Sequence, residues 1–311
     1  MGTEFQLLLP ADRDAAAPEA ALAALDRIDA LEARLSIYRD TSEISAINRR
    51  AAVEPVTVEP QLLDLLRQAI AVSRDTAGAY DVTTGPLIDL WQAARRAGTI
   101  PDDESIAAAQ RSVGSAKLAI DSAAGTIAFQ APGMKLNLGG IGKGYALDRS
   151  CEVLEGYGVR HYLWHGGQSS VLCRGSAFGD ASPEAGWTIG VGHPLKPGRR
   201  LAEIAVRDRA VGTSGASFQF YRHQGKRYGH ILDPRSGRPA EGVFSVTVLA
   251  PTGAEADALS TAFYVLGFER SAAYCERRPD VAFLMLLPAA GGSAVELATF
   301  GLDALAWRIT D

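Results

Sequence analysis

Between Leu136 and Asp148 the chain reads Leu-Asn-Leu-Gly-Gly-Ile-Gly-Lys-Gly-Tyr-Ala-Leu-Asp, an apolar run that meets four closely spaced glycines and then a helical pattern. A strand entering a glycine-rich turn that opens a helix constrains the local fold strongly. Glycine backbone can turn tightly, and the first N–H groups of the helix are left without intrahelical partners. Those N–H groups and the positive end of the helix dipole favour a bound anion, and Lys143 adds a full cation. The segment is not a Walker A loop, which would need glycine at Asn137, and a dinucleotide fingerprint fails at Tyr145. A tight turn that needs glycines only for packing is the alternative reading of this stretch.

The pattern on either side differs. Phe5 lies in a short strand over Glu4 to Pro10, followed by a helix opening near Pro18, where Leu22, Leu25, Ile28, Leu31 and Leu35 recur at helical spacing. A second helix is expected from Pro60 to Thr76 and a third after Thr84, with Leu87, Leu90 and Trp91 on one face. From Lys117 the alternation shortens, and Leu118 to Asp121, Ile127 to Gln130 and Met134 to Leu138 read as a three-stranded meander. A helix from Lys143 to Gly156 follows the glycine turn. Strands are expected around His161–Trp164, Ser170–Arg174, Trp187–Val191, Leu201–Val206, Phe244–Ala250 and Val281–Leu287, with a helix from Ala254 to Leu266 stopped by Gly267. The sum is an α+β protein with mainly antiparallel sheets, in two lobes with a cleft between them.

Composition narrows the function classes. The chain has 311 residues, 47% hydrophobic and 22% charged, with a formal net charge of -5. That is ample for a core, and the acidic balance argues against a protein that tracks nucleic-acid phosphates. Cys151, Cys173 and Cys275 lie far apart and match no zinc spacing, so they read as core thiols. The apolar N-terminal run is too short for an export signal, so the chain as given reads as cytoplasmic, with a periplasmic or lipoprotein location open if a leader was removed. No run approaches the roughly 20 apolar residues of a membrane span.

Two further segments hold chemistry. In Tyr228-Gly-His-Ile-Leu-Asp-Pro-Arg-Ser-Gly237 an apolar strand bearing His230 ends at Asp233-Pro234. His230 has the best claim among the histidines to acid–base work, with Tyr228 and Asp233 near enough in sequence to orient it; a structural histidine is the alternative. His161 and His165 fall on a strand, which holds them roughly 13 Å apart and excludes chelation of one ion. In Ala256-Asp-Ala-Leu-Ser-Thr-Ala262, Asp257 and Thr261 stand one helical turn apart on an apolar face. A carboxylate, a hydroxyl and a nearby carbonyl suit Mg²⁺, although capping by Asp257 and back-bonding by Thr261 explain the pattern as well. Thr213-Ser-Gly215 is no nucleophile elbow, because the GxSxG pattern fails at Ala216.

Taken in order, Met1-Gly-Thr, Ser36-Ile-Tyr-Arg-Asp-Thr-Ser-Glu-Ile-Ser45, Ala79-Tyr-Asp-Val-Thr-Thr-Gly-Pro-Leu87, the glycine turn, Gly166-Gly167, Thr213-Ser-Gly215, the His230 segment and the Asp257 helix resemble the ApbE family of FAD:protein FMN transferases over nearly the whole chain. The resemblance implies a T-fold-like architecture spanning 1–311 as one flavin-transferase domain of two intimate subdomains. FAD would be a cosubstrate, its isoalloxazine near Met1, Tyr38 and Ala79, Tyr80 and Asp81. The pyrophosphate and metal region would map onto Asn137, Gly140 and Lys143, then His230 and Ile231, then Asp257, Ser260 and Thr261, with the Gly140 carbonyl, Asp257, Ser260 and Thr261 holding Mg²⁺. His230 and Asp257 would be the catalytic pair, transferring FMN to a threonine or serine of an acceptor flavoprotein subunit with release of AMP.

The chain departs from the family pattern at Asn137, where an aspartate is common, at Gln168, where an acidic residue is usual, and at Ala216-Ser217-Phe218 after Thr-Ser-Gly. The rival readings are a Mg²⁺-dependent FAD pyrophosphatase using water as nucleophile, and a non-catalytic FAD-binding protein.

Overall fold

The computed structural model describes residues 3–10, 16–182, 184–216, 220–289, 294–303 and 306–310. Met1 therefore lies outside the described residues, as do Ser217 and Phe218. The helices are α1 (Ala17–Leu35), α2 (Glu43–Arg50), α3 (Pro60–Asp75), α4 (Gly85–Ala97), α5 (Asp103–Gln110), α6 (Gly142–Gly156), α7 (Gly253–Leu266) and α8 (Phe268–Cys275). The strands begin with β1 (Phe5–Leu8), β2 (Val56–Thr57), β3 (Leu118–Asp121), β4 (Thr126–Phe129), β5 (Tyr162–Gly166), β6 (Ser170–Arg174), β7 (Trp187–Gly192), β8 (Arg200–Val206) and β9 (Arg209–Gly215). They continue with β10 (Phe220–His223), β11 (Lys226–Gly229), β12 (Leu232–Asp233), β13 (Arg238–Pro239), β14 (Ser245–Ala250), β15 (Ala282–Pro288), β16 (Val295–Phe300) and β17 (Trp307–Ile309).

A seven-stranded sheet in the order β1-β5-β6-β9-β14-β15-β16, antiparallel at every pairing, is the frame. Successive side chains point to opposite faces, and both faces are covered at the centre, so β14 and β15 are buried almost throughout. Tyr162, Trp164, Leu172, Ala210, Val246, Val248, Phe283 and Met285 point into one core with the apolar faces of α1, α6 and α7. Leu163, Cys173, Val211, Leu249, Leu284 and Leu286 point into a second core against the three-stranded sheet β17-β8-β7. Each inward strand side chain is thus matched to a helix or to a second sheet, the mixed architecture expected from the sequence.

The helix ends follow local chemistry. Pro18 and Pro60 start α1 and α3, Ser42 and Asp102 cap α2 and α5 through the N–H groups of Ser45 and Ser105, and Gly98 closes α4 in the left-handed region at φ 71°. All three cysteines are buried and free, as core thiols should be. Among the described residues no helix is long and apolar enough to cross a membrane.

Two strand expectations are corrected. Met134–Leu138 is extended but is not the third strand of the meander; β2 takes that place beside β4, and Lys135 makes one isolated parallel bridge to Thr84. The physical reason is an intruding amide. Asn48 of α2 donates from Nδ2 to the Leu136 carbonyl (3.0 Å) and accepts at Oδ1 from the Leu136 N–H (2.7 Å), so a side chain stands where a strand would pair. His230 is not on a strand either. β11 pairs back with β10 and β12 pairs forward with β13, so the chain changes partners at a bend at His230.

Candidate active site

The site is built where two helix starts cross. Gly144 and Gly253 meet backbone to backbone; a Cβ on Gly144 would stand 1.9 Å from the Gly253 oxygen, and one on Gly253 2.4 Å from the Gly144 oxygen. Each helix then supplies a carboxylate to the other. Asp148 of α6 accepts the N–H groups of Gly253 (2.6 Å) and Ala254 (2.9 Å) at the start of α7. Asp257 of α7 accepts the N–H of Gly144 at 2.7 Å near the start of α6, and the Ser170 hydroxyl at 2.7 Å. Both carboxylates thereby satisfy orphan helix donors at the positive end of a dipole. Asp257 is not the N-cap of its own helix; Thr252 has that role.

Burial pushes the Asp257 carboxyl up, while the nearby Lys143 charge, the Ser170 hydroxyl and the Gly144 N–H pull it back. Burial likewise pushes Asp148 up to about 6 against the pull of its two N–H donors. Lys143 therefore sits, half-buried, as the cation that offsets a buried acid.

A hydroxyl cluster lies beside Asp257. Ser214, near the end of β9, pairs with Ser260 at 2.8 Å and with Thr261 at 3.4 Å, while Ser260 and Thr261 both donate to the Asp257 carbonyl. Gly140 of the glycine turn faces this cluster. A Cβ there would lie 3.1 Å from Thr261 Oγ1 and 3.2 Å from Tyr80 Cε2. Thr261 thus lies between the Gly140 backbone and the Asp257 carbonyl, while the Asp257 carboxylate turns to Gly144 and Ser170.

The Ala79–Leu87 segment is fastened alongside. The Asn137 N–H donates to the Val82 carbonyl at 2.8 Å, and the Asn137 side chain accepts the Gly139 N–H at 2.8 Å, which shapes the turn. Ala79 and Tyr80 are buried. Asp81 is buried too, and its carboxylate takes the Thr83 N–H and hydroxyl, the Ser115 N–H and the Ser73 hydroxyl, so it organises its own loop.

His230 reaches the same end of β9 by another route. A Cβ on the preceding Gly229 would lie 3.0 Å from Ala216, two residues beyond Ser214. His230 is exposed and Ile231 buried. Asp233 holds Arg235 at 2.8 and 2.9 Å, and the Tyr228 ring packs on Trp91 with centroids 5.8 Å apart. Trp91 also donates to the Gly237 carbonyl at 2.8 Å, and Gln110 to that of Arg235 at 2.8 Å, so α4 and α5 hold the whole excursion.

An open cavity of about 600 Å³ is lined by Thr3, Glu4, Gln6, His165, Gly167 and Gln168. It does not coincide with the carboxylate and hydroxyl cluster but opens at the β5–β6 turn, just before Ser170. Tyr38 stands 79% exposed on the turn after α1. No three His, Cys, Asp or Glu side chains gather as a metal site among the described residues. The donor set at Gly140, Asp257 and Thr261 nevertheless fits a hard cation such as Mg²⁺, which takes few protein oxygens and completes its shell with phosphate and water. The Tyr80 hydroxyl is fully buried and has no partner among the described residues.

The family model described as the ApbE family matches residues 1–285. The chain belongs to the ApbE family. A Treponema pallidum relative named FAD:protein FMN transferase is 32% identical over 300 residues, spanning 93% of this chain and 83% of the relative. A Vibrio cholerae relative of the same name is 34% identical over 257 residues, spanning 81% and 75%. Among solved structures, the flavin transferase ApbE of Vibrio cholerae superposes with a TM-score of 0.81 at 30% identity, covering 96% of this chain and 94% of that one. The ApbE protein of Thermotoga maritima gives 0.81 at 28% identity, covering 95% and 93%.

Within this ApbE fold the sequence reading overlooked three residues. Asn48 clamps the extended run before the turn, Asp148 caps α7, and Ser170 binds Asp257. Asp148 carried a legible signal, a carboxylate one turn after Gly144 on a helix otherwise buried on that side; Asn48 beside buried Ile47 carried a weaker one. Ser170 carried none.

Proposed function

We propose that the chain is a Mg²⁺-dependent FAD:protein FMN transferase that attaches FMN through a phosphoester to a threonine or serine of an acceptor protein. The observation that supports this best is the meeting of Gly140, Asp257 and Thr261 where α6 and α7 start, with Lys143 beside them, in a chain whose relatives carry that name. It is a place for a pyrophosphate: helix N–H groups, one cation and hard oxygen donors in a partly buried setting.

The bonds balance as follows. The acceptor hydroxyl oxygen forms a bond to the FMN phosphorus, the bond from that phosphorus to the bridging oxygen breaks, and AMP leaves with that oxygen. Asp257, Thr261 and the Gly140 carbonyl would hold Mg²⁺, with Ser260 held inward by Ser214 and the Asp257 carbonyl. The ion, when bound, offsets the negative charge of the pyrophosphate. Lys143 adds a cation on the same side, and Asn137 keeps the turn in shape. His230, exposed at the mouth, accepts the acceptor's hydroxyl proton; an exposed base suits a substrate that is itself a protein.

Intact-mass analysis of an acceptor domain bearing a threonine motif, incubated with the chain, FAD and Mg²⁺, tests this. A gain of one FMN phosphoester, absent with Asp257→Ala, is expected. AMP released at equal rate with no acceptor modified would replace transfer by hydrolysis.

A further inference from the structure

From Phe220 to Glu241 the chain has five lysines and arginines against two carboxylates, in a protein whose formal net charge is -5. Both carboxylates are taken: Glu241 pairs with Lys226 at 2.9 Å and Asp233 with Arg235 at 2.8 Å, while Arg238 pairs with Asp103 of α5. The other two cations, Arg222 and Arg227, are exposed and stand directly opposite each other in the β10–β11 register. Like charges so placed, with Cβ atoms roughly 5 Å apart, repel, and stability alone would favour an opposite pair there.

The two faces of this hairpin differ. Tyr228 packs on Trp91, Tyr221 lies beside Tyr228 with centroids 6.3 Å apart, and His223 Nδ1 donates to the Gly98 carbonyl at 3.1 Å, so one face is fastened to α4. Strand alternation puts Phe220, Arg222 and Arg227 on the other. Both guanidinium groups lie over the Phe220 ring, Arg227 at 3.9 Å and Arg222 at 5.5 Å from its centroid. Burial pushes the Tyr264 phenol up to about 12 and the Arg227 charge pulls it back, so this face turns toward α7, three residues beyond Thr261. A guanidinium laid on a ring is ordered in advance and presents its N–H edge, the geometry that takes a carboxylate through two parallel hydrogen bonds.

We propose that the Phe220, Arg222 and Arg227 face of the β10–β11 hairpin is the docking surface for the acceptor protein, and that it takes an acidic segment beside the hydroxyl to be modified. The proposal rests on the transferase reading of the site. Arg227 precedes His230 by three residues, a reach of roughly 10 Å in extended chain, so a carboxylate held here sets a threonine or serine a few residues away at the mouth. The charge match names the occupant: a local cationic face attracts an acidic segment, whereas the net charge of the chain opposes nucleic acid and anionic membrane.

The test uses an acceptor domain bearing a threonine motif, made in three versions with glutamate, glutamine or lysine flanking the motif, and the full chain with FAD and Mg²⁺. The parent should modify the glutamate version with a kcat/KM about tenfold above that for the lysine version, a preference that fades at high salt. In the double variant Arg222→Glu, Arg227→Glu that order should reverse, while the thermal midpoint and the Kd for FAD stay those of the parent. The same order in variant and parent overturns the proposal. So does a raised Kd for FAD in the variant, which would give the arginine pair to the dinucleotide. If the parent modifies all three versions alike, the docking surface falls and the transferase reading stands; if it modifies none, that reading falls and the proposal with it.

Discussion

Asp257 is a carboxylate on a helix whose other buried residues are mostly alanine, leucine and aromatic rings, and two donors from distant parts of the chain reach it. Its role is therefore double: it ties α6 to α7, and it supplies a buried carboxylate beside the glycine turn. Asp257→Asn keeps the volume but turns an NH₂ toward the Gly144 N–H or the Ser170 hydroxyl. We expect urea unfolding to show a loss of about 1–3 kcal/mol, and FMN transfer to fall by about a hundredfold or more. A variant that transfers at the parent's rate would remove Asp257 from the reaction. Asp148 makes a separate prediction about pH. Burial raises its folded pKa to about 6, above the usual carboxylate range, so the folded state binds the proton more tightly. The stability this contributes is full below about pH 4 and is lost as pH rises through 6. Discounted for partial exposure, the change is about 2 kcal/mol. Melting curves of the parent and Asp148→Asn from pH 4 to 7 should show their gap moving by that amount in the variant's favour. A gap that stays constant sinks the assignment.

At the scale of elements, two glycines of α6 make opposite predictions. Gly144→Ala puts a methyl 1.9 Å from the Gly253 oxygen, which has no flexible side chain to yield, so the α6–α7 crossing must open. Overpacking of this kind costs about 3 kcal/mol, and Mg²⁺-dependent FAD binding should weaken with it. Gly156→Ala meets nothing within 4 Å and sits in helical backbone, so it should gain a few tenths to about 1 kcal/mol. Denaturant titrations of the pair read both signs. The same glycines show what could be read from sequence. A strand, a glycine turn and a helix announced themselves by composition and period, and α1, α3, α4, α6 and α7 fell close to where their apolar spacing put them. The helices α2, α5 and α8 went unread because each spans 8 residues, too short to display a period. Asp257 and Thr261 were legible as a pair because one helix presents both. Ser170 was not, because it meets Asp257 only through the pairing of β6 with β9, a contact 87 residues apart in sequence.

Across the whole molecule the site is assembled from the Tyr80 loop, the glycine turn, the end of β9, α7 and the 220–239 excursion, and these have different anchors. The first four rest on the main core. The excursion reaches the main core through Ile231 and otherwise rests on a small separate cluster of Leu87, Val113 and Leu232, with Trp91 packed against it and bonded to the Gly237 carbonyl. Ligand binding and proton transfer should therefore be separable by a change far from both. Trp91→Ala removes the Gly237 hydrogen bond and the ring under Tyr228, loosening the segment that presents His230. Global stability should fall by about 1–3 kcal/mol. The rise in thermal midpoint caused by FAD and Mg²⁺, about 2.7 kcal/mol of stabilisation at a hundredfold excess over Kd, should survive, since the glycine turn and α7 do not lean on Trp91. Acceptor modification should drop by about tenfold or more at saturating FAD. Should the variant lose FAD-induced stabilisation and transfer together, the excursion belongs to the binding site itself; should it lose neither, His230 is not the group that meets the acceptor.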